Sequence, residues 1–94
     1  MITLDNFIGS WNAESSVTLT IWKEDGAFRV KAVDKYDNED IVVSNLNIIN
    51  GALVFETYVP STKFHTKNSL KLISENKLCQ ELTIFETWSK EIAE

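Results

Sequence analysis

The chain contains few of the residues that usually cross-link a polypeptide or bind a metal. Its 94 residues include three glycines, one proline, one cysteine and one histidine. A single cysteine, Cys79, cannot form an intramolecular disulfide, so a domain of this size depends on its hydrophobic core for stability. One histidine and one cysteine are too few for a zinc site, which takes three or four clustered ligands. We therefore expect no metal site.

Positive charge is also scarce, and the basic residues are scattered along the chain. Nine Lys and Arg residues against 14 Asp and Glu residues give a formal net charge of −5. Nucleic-acid affinity comes mainly from Lys and Arg neutralising phosphates, so an acidic chain is a poor candidate for it. The same reasoning weakens attraction to an anionic membrane surface. We expect neither a nucleic-acid nor a membrane partner.

Long hydrophobic runs are missing, and the first residues have no targeting pattern. Residues 1–5 lack the basic start, apolar run and small-residue cleavage site of a signal peptide. No apolar run approaches the length that spans a bilayer. Together with the unpaired cysteine, these features favour a cytoplasmic location.

Motifs of enzymes and cofactor-binding proteins are missing as well. There is no P-loop, no dinucleotide fingerprint and no Gly-x-Ser-x-Gly element. Catalysis would need His65 to meet a serine such as Ser61 or Ser69, or Glu86 to meet a second carboxylate. The acidic residues 34–40 lack the ligand order of a calcium loop and are typical of a solvated turn. We expect a protein without enzymatic activity and without a cofactor.

The strongest signal that is present is alternation of apolar and polar residues with a period of two, which is typical of half-buried strands. In residues 17–22, Val, Leu and Ile alternate with Thr, Thr and Trp. Hairpin turns are predicted where Gly, Asn and Asp cluster. These turns lie at residues 24–26, 37–39, 50–51 and 75–77, and a longer polar loop is expected over residues 60–68.

The pattern predicts one all-β domain over residues 1–94, an up-and-down antiparallel meander of about seven to eight strands. Only short helical turns are expected, at residues 1–8 and 89–94. With no helix to cover its apolar face, the sheet must close into a barrel or a flattened sandwich, and closure is the simpler solution. Because a small domain needs most of its apolar residues for the core, we expect a shallow cavity or none.

The segment Gly9-Ser10-Trp11 resembles the Gly-x-Trp element that opens the first strand in the calycin group, which includes lipocalins, fatty-acid-binding proteins and avidins. The order of this element, residues 17–22 and Asp25-Gly26 is similar to the opening of an avidin-type barrel. The resemblance implies a meander barrel that binds a small ligand. In lipocalins the tryptophan covers the closed end against a basic residue from the last strand. These roles would fall to Trp11 and Lys90.

Two sets of candidate functional residues follow. A small apolar or aromatic ligand at the open end of a barrel would contact inward-facing side chains. The candidates for this ligand site are Trp11, Leu19, Phe28, Phe55, Leu72 and Glu86. Aromatic residues on the outer face are typical of protein interfaces and indicate a possible homodimer or partner surface. These residues are Trp22, Tyr58 and Phe85, and an unpaired strand edge that accepts a partner strand is a further alternative.

The last strand, expected over residues 78–88, permits two interpretations. Its leucine and isoleucine residues share a phase with Gln80 and Glu86, whereas Cys79 takes the opposite phase. If the first phase points inward, Gln80 and Glu86 enter the interior, where an unpaired carboxylate is costly. A bulge in mid-strand would instead bring both to the surface, and we favour the bulge. We interpret Cys79 as an unreactive strand residue, because Glu81 nearby opposes thiolate formation.

Overall fold

The computed structural model describes residues 2–13 and 16–91, which form one curled antiparallel sheet. A 3₁₀ turn at Leu4–Phe7 precedes the strands. The strands are β1 (Gly9–Asn12), β2 (Val17–Glu24), β3 (Ala27–Asp34), β4 (Asp40–Ile49), β5 (Ala52–Val59), β6 (Phe64–Ser74) and β7 (Lys77–Phe85). They pair in chain order from β1 to β7. The predicted all-β meander is therefore confirmed. Among the described residues, no helix has the length and apolar character needed to cross a membrane.

Tight turns form where the sequence predicts hairpins. In Asp25-Gly26 and Asn50-Gly51 both residues have positive φ, between 50° and 78°. Two consecutive positive φ angles define the turn whose twist matches that of paired strands, and Asn-Gly and Asp-Gly adopt it at low cost. Strand pairing starts directly on either side of each turn. These local turns therefore set the register of the β2–β3 and β4–β5 hairpins.

The sheet curls into a half-barrel and does not close. β3 and β4 pair at only two positions, Ala32 with Ile41 and Val33 with Asp40, so the strands diverge beyond this junction. The edge strands β1 and β7 form no ladder with each other in the described parts of the chain. The gap between them leaves the concave face of the sheet accessible from the side.

The hydrophobic core lies on the concave face and is completed by a residue from outside the sheet. Phe7, in the 3₁₀ turn, is fully buried, and its ring meets Phe28 edge-on with centroids 6.3 Å apart. The Trp11 indole Nε1 donates a hydrogen bond of 2.8 Å to the Phe7 carbonyl oxygen. The other buried members of the core are Leu19, Ile21, Ala32, Ile41, Leu53, Phe55 and Leu70. The 3₁₀ turn thus covers one end of the half-barrel, which we call the capped end.

The prediction of a polar loop over residues 60–68 is wrong. Only residues 60–63 connect β5 to β6, and β6 begins at Phe64. The segment does alternate in burial, since Thr66 and Asn68 are both buried on the concave face. Their side chains are polar, however, so the alternation of burial is not visible as an alternation of hydrophobicity.

The prediction of a bulge in the last strand is also wrong. β7 pairs with β6 without a shift from Leu78 to Phe85, so one phase is kept throughout. Gln80 therefore faces the concave side with Leu82, and Cys79 lies on the convex side. The register shifts occur elsewhere, in β4 between Ser44 and Asn47, where Asn45 has a φ of 53°, and in β6 between Leu72 and Ser74. β7 ends at Phe85. Of the two predicted helical turns, the N-terminal one forms at Leu4–Phe7, residues 86–91 are not helical, and residues 92–94 lie outside the described residues.

Candidate functional site

The concave face forms a cavity of about 400 Å³ at the end opposite the capped end. We call this end the open end. The apolar side chains of its wall include Val17, Leu19, Ile41, Phe55, Val59, Phe64 and Leu82. A volume of this size falls in the range of small-molecule sites, so the expectation of a shallow or absent cavity is not met. The space remains because Phe7 fills only the capped end and the sheet does not close across β1 and β7.

Hydrogen-bonded polar side chains cross the cavity wall from β5 to β7. The hydroxyl groups of Thr57 and Thr66 hydrogen-bond to each other. The Asn68 Nδ2 donates to Thr66 Oγ1 at 3.1 Å and to Thr57 Oγ1 at 3.5 Å. The Gln80 Nε2 donates to Asn68 Oδ1 at 2.7 Å. We call these four residues the polar ladder. Its hydrogen bonds offset the cost of burying Thr66 and Asn68, while Gln80 at the β7 end is exposed.

The mouth of the cavity is acidic. Asp34, Asp37 and Glu39 line it, and none of the described lining residues is Lys, Arg or His. The Glu39 carboxylate accepts hydrogen bonds from the Ser61 amide (3.2 Å) and hydroxyl (2.7 Å). This contact joins the β3–β4 connection to the β5–β6 turn across the mouth. Several negatively charged carboxylates around an opening disfavour the approach of an anion.

The ligand-site candidates predicted from the sequence do not all reach the cavity. Leu19 and Phe55 line it. Trp11 lines the gap between β1 and β7. Phe28 and Leu72 are partly buried against the core. Two of these five side chains therefore contact the cavity, one lies at its side opening, and two pack in the core.

Most of the residues that line the cavity were not among the candidates. The polar ones that were missed include Thr57, Thr66 and Asn68, and their signal is weak because Thr and Asn on alternate positions resemble a polar loop. Glu86 follows the end of β7 and is exposed, and its carboxylate accepts a hydrogen bond of 3.1 Å from the Trp88 indole. Glu86 therefore does not enter the interior.

The outer aromatic residues are divided between two regions of the convex face. Tyr58 pairs with His65 across β5 and β6, and His65 pairs with Phe85 across β6 and β7. The His65 and Phe85 ring centroids are 4.7 Å apart. We call these three residues the convex cluster. Trp22 lies on β2, paired with Arg29, and is not part of this cluster.

His65 contacts a carboxylate rather than a serine. Its Nε2 lies 2.9 Å from Glu56 Oε1, and the Asn45 amide donates a hydrogen bond to the other oxygen of Glu56. The hydrogen bond from Asn45, followed by the one with His65, lowers the pKa of Glu56 below its ordinary value. The described residues contain no group of three or more His, Cys, Asp or Glu side chains placed to hold a metal.

No family model, curated protein or solved structure matches the chain. A fold by itself does not determine function, since one architecture supports many activities. The cavity at the open end, with its polar ladder and acidic mouth, is the feature of the molecule from which a function can be inferred.

Proposed function

We propose that the protein is a non-enzymatic module that binds a small apolar or aromatic molecule in the cavity at the open end. The observation that carries this proposal is a cavity of about 400 Å³ with mainly apolar walls and one row of polar side chains. Sites for small molecules typically combine these features, because apolar walls provide affinity and a few polar groups provide orientation.

The construction of the half-barrel supports this function. Phe7 and Phe28 form a packed floor at the capped end, so a ligand would be held in the upper part of the concave face. Burial of the ligand's apolar surface against Leu19 and Phe55 would contribute roughly 25 cal/mol per Å². A ligand can enter through the mouth or through the gap between β1 and β7. Gln80 and Leu82 line both the cavity and this gap.

Binding can be tested with N-phenyl-1-naphthylamine, an uncharged dye that fluoresces strongly in apolar sites. Leu82 is 51% exposed on the edge strand β7, so the larger ring of Leu82→Trp can extend over the cavity without crowding the core. We expect this variant to weaken dye binding about tenfold or more by filling the site. Thr83→Trp places the same ring on the convex face of the same strand and serves as the matched control.

Two results would contradict the proposal. One is the absence of saturable dye binding to the unmodified protein. The other is equal binding by Leu82→Trp and Thr83→Trp, because the dye would then occupy a surface outside the cavity.

A second candidate function is self-association through the convex cluster. Tyr58 and Phe85 are 39% and 46% exposed, and Phe85 lies on the edge strand β7. Aromatic residues next to an open strand edge favour association with another sheet. Under this candidate function, sedimentation at micromolar concentration would detect a dimer that Phe85→Ser abolishes and Trp22→Ser retains. A monomer at all concentrations would eliminate it.

A further inference from the structure

Gln80 ends the polar ladder on β7 with part of its hydrogen-bonding capacity unused. A glutamine amide has two N–H donors and a carbonyl oxygen with two lone pairs. One donor of Gln80 bonds to Asn68 Oδ1. Within the described chain, the second donor and the Oε1 acceptor have no hydrogen-bond partner, and Gln80 lines the cavity. Gln80 is exposed on the edge strand, so its second N–H and its Oε1 are accessible to a ligand in the cavity.

The rest of the polar ladder holds this amide in place. Asn68 is 3% exposed, and its Nδ2 is engaged by the hydroxyls of Thr66 and Thr57. Its Oδ1 is thereby directed toward β7, where it accepts the 2.7 Å hydrogen bond from Gln80. A polar group that is already oriented loses less conformational entropy when a ligand binds to it. Gln80 is thus prepared to receive a complementary group.

We infer that the ligand presents an uncharged amide, such as a primary amide or a lactam, to Gln80, an inference that rests on the proposed function. An amide carries both a donor and an acceptor, so it can accept from the second N–H of Gln80 and donate to its Oε1. A carboxylate of the same size only accepts hydrogen bonds. It would face the Gln80 Oε1 without a proton between them, in a cavity whose described lining includes three acidic residues and no basic one. The site therefore selects an amide and rejects a carboxylate.

The inference can be tested with three probes that share a naphthalene ring system and differ in one substituent. These are 1-naphthaleneacetamide, 1-naphthaleneacetate and 1-ethylnaphthalene, each titrated by calorimetry or by NMR chemical-shift changes at pH 7, where the acetate is ionised. We expect the amide to bind about tenfold more tightly than the other two, because it alone makes both hydrogen bonds. The hydrocarbon measures the contribution of the apolar body.

A substitution of similar size tests whether the Gln80 amide, and not only the apolar cavity, contributes to binding of the amide probe. Gln80→Met keeps the length of the side chain and removes its amide, and we expect it to reduce amide binding to the level of the hydrocarbon. Binding of 1-ethylnaphthalene should stay within about twofold, because volume-conserving changes disturb packing little. Thr83→Met, on the convex side of β7, is the matched control and should leave all three affinities unchanged. Should Gln80→Met not fold, the order of the three probes on the unmodified protein decides.

The outcomes distinguish this inference from the proposed function. If all three probes bind equally, or the carboxylate binds most tightly, the cavity remains a ligand site and the selection of an amide is overturned. Amide binding that is unaffected by Gln80→Met overturns the role of Gln80 in the same way. If the dye binds and none of the three probes does, this inference fails and the proposed function stands. If neither the dye nor the probes bind, both fail.

Discussion

The two ends of the half-barrel are formed by the same strands, yet one end is filled and the other is hollow. At the capped end, Phe7 is fully buried against Phe28 and is tied to the Trp11 indole by a hydrogen bond. At the open end, Phe64 is 43% exposed and lines a cavity. The difference comes from the 3₁₀ turn, which inserts a side chain from outside the sheet at one end. In the described chain, no equivalent segment enters the other.

The asymmetry separates the packed end, which stabilises the molecule, from the end where we propose that a ligand binds. Packed aromatic rings at the capped end bury apolar surface and provide much of the stabilisation available to a small core. The open end keeps space, an acidic mouth and buried polar groups, all of which reduce the apolar contact that the core could otherwise make. Sites that depart from the simplest core packing are often functional sites. Substitutions at the two ends should therefore have different consequences.

The largest expected difference concerns the aromatic residue at each end. Phe7→Ala removes a fully buried ring, so we expect the free energy of unfolding to fall by about 3–4 kcal/mol. Phe64→Ala removes a ring that is half in solvent and should lower it by less than about 1 kcal/mol. Urea unfolding followed by tryptophan fluorescence measures both. Equal losses would mean that the 3₁₀ turn does not act as the cap.

A smaller difference is expected between single hydrogen bonds at the two ends. Trp11→Phe keeps an aromatic ring but leaves the Phe7 carbonyl without its donor, which should cost about 1 kcal/mol. Ser61→Ala removes the hydroxyl bond to Glu39 on the exposed mouth and should cost less than about 0.5 kcal/mol, because water replaces the partner. The same unfolding measurement applies. A larger loss in Ser61→Ala than in Trp11→Phe would reverse the comparison.

The smallest expected effect lies on the convex face, away from both ends. The lowered pKa of Glu56 means that the folded state favours its ionised form. The resulting stabilisation is present above the ordinary value of 4.5 and is lost as the pH falls through the lower folded value. Asn45→Gly keeps a residue that tolerates positive φ and removes the largest cause of the shift. We expect the Glu56 pKa, followed by NMR of its carboxyl carbon, to rise toward 4.5.

The matched variant for this titration is His65→Phe, which retains a ring beside Phe85 and removes the second cause of the shift. We expect a smaller rise in the Glu56 pKa than in Asn45→Gly. An unchanged pKa in both variants would show that neither hydrogen bond controls the carboxylate. Neither variant should alter dye binding in the cavity, since Glu56, Asn45 and His65 do not line it.

Most of the fold could be predicted from local patterns. The Asn50-Gly51 turn and the alternation in β2 are encoded within a few residues, so hairpin order follows from the sequence. The prediction of a loop over residues 60–68 is wrong because the burial of these residues depends on strands that are distant in the sequence. Thr66 and Asn68 are buried only because β5 and β7 bring Thr57 and Gln80 beside them. Polar residues that satisfy one another across three strands cannot be distinguished, one at a time, from solvated ones.

The candidate site could be predicted only in part. Leu19 and Phe55 were identified because they lie on the apolar face of regular strands. Gln80 was recognised as a residue whose position depends on the phase of β7, but the bulge that would settle the phase was expected in the wrong strand. The register shifts lie in β4, around Asn45, and in β6, between Leu72 and Ser74, and neither place has a glycine to indicate it. Bulges depend on the pairing of two strands and therefore escape a reading of either strand alone.

Charge, cysteine content, turn chemistry and two-residue periodicity are properties of short segments, so an acidic all-β meander without an intramolecular disulfide can be predicted from the amino-acid sequence. The half-barrel, the filling of one end by Phe7 and the cavity crossed by the polar ladder at the other end are visible only in the folded molecule. These features depend on contacts between residues far apart in the chain. Whether β1 reaches β7 is set by the accumulated twist of all seven strands and by the two-position junction between β3 and β4.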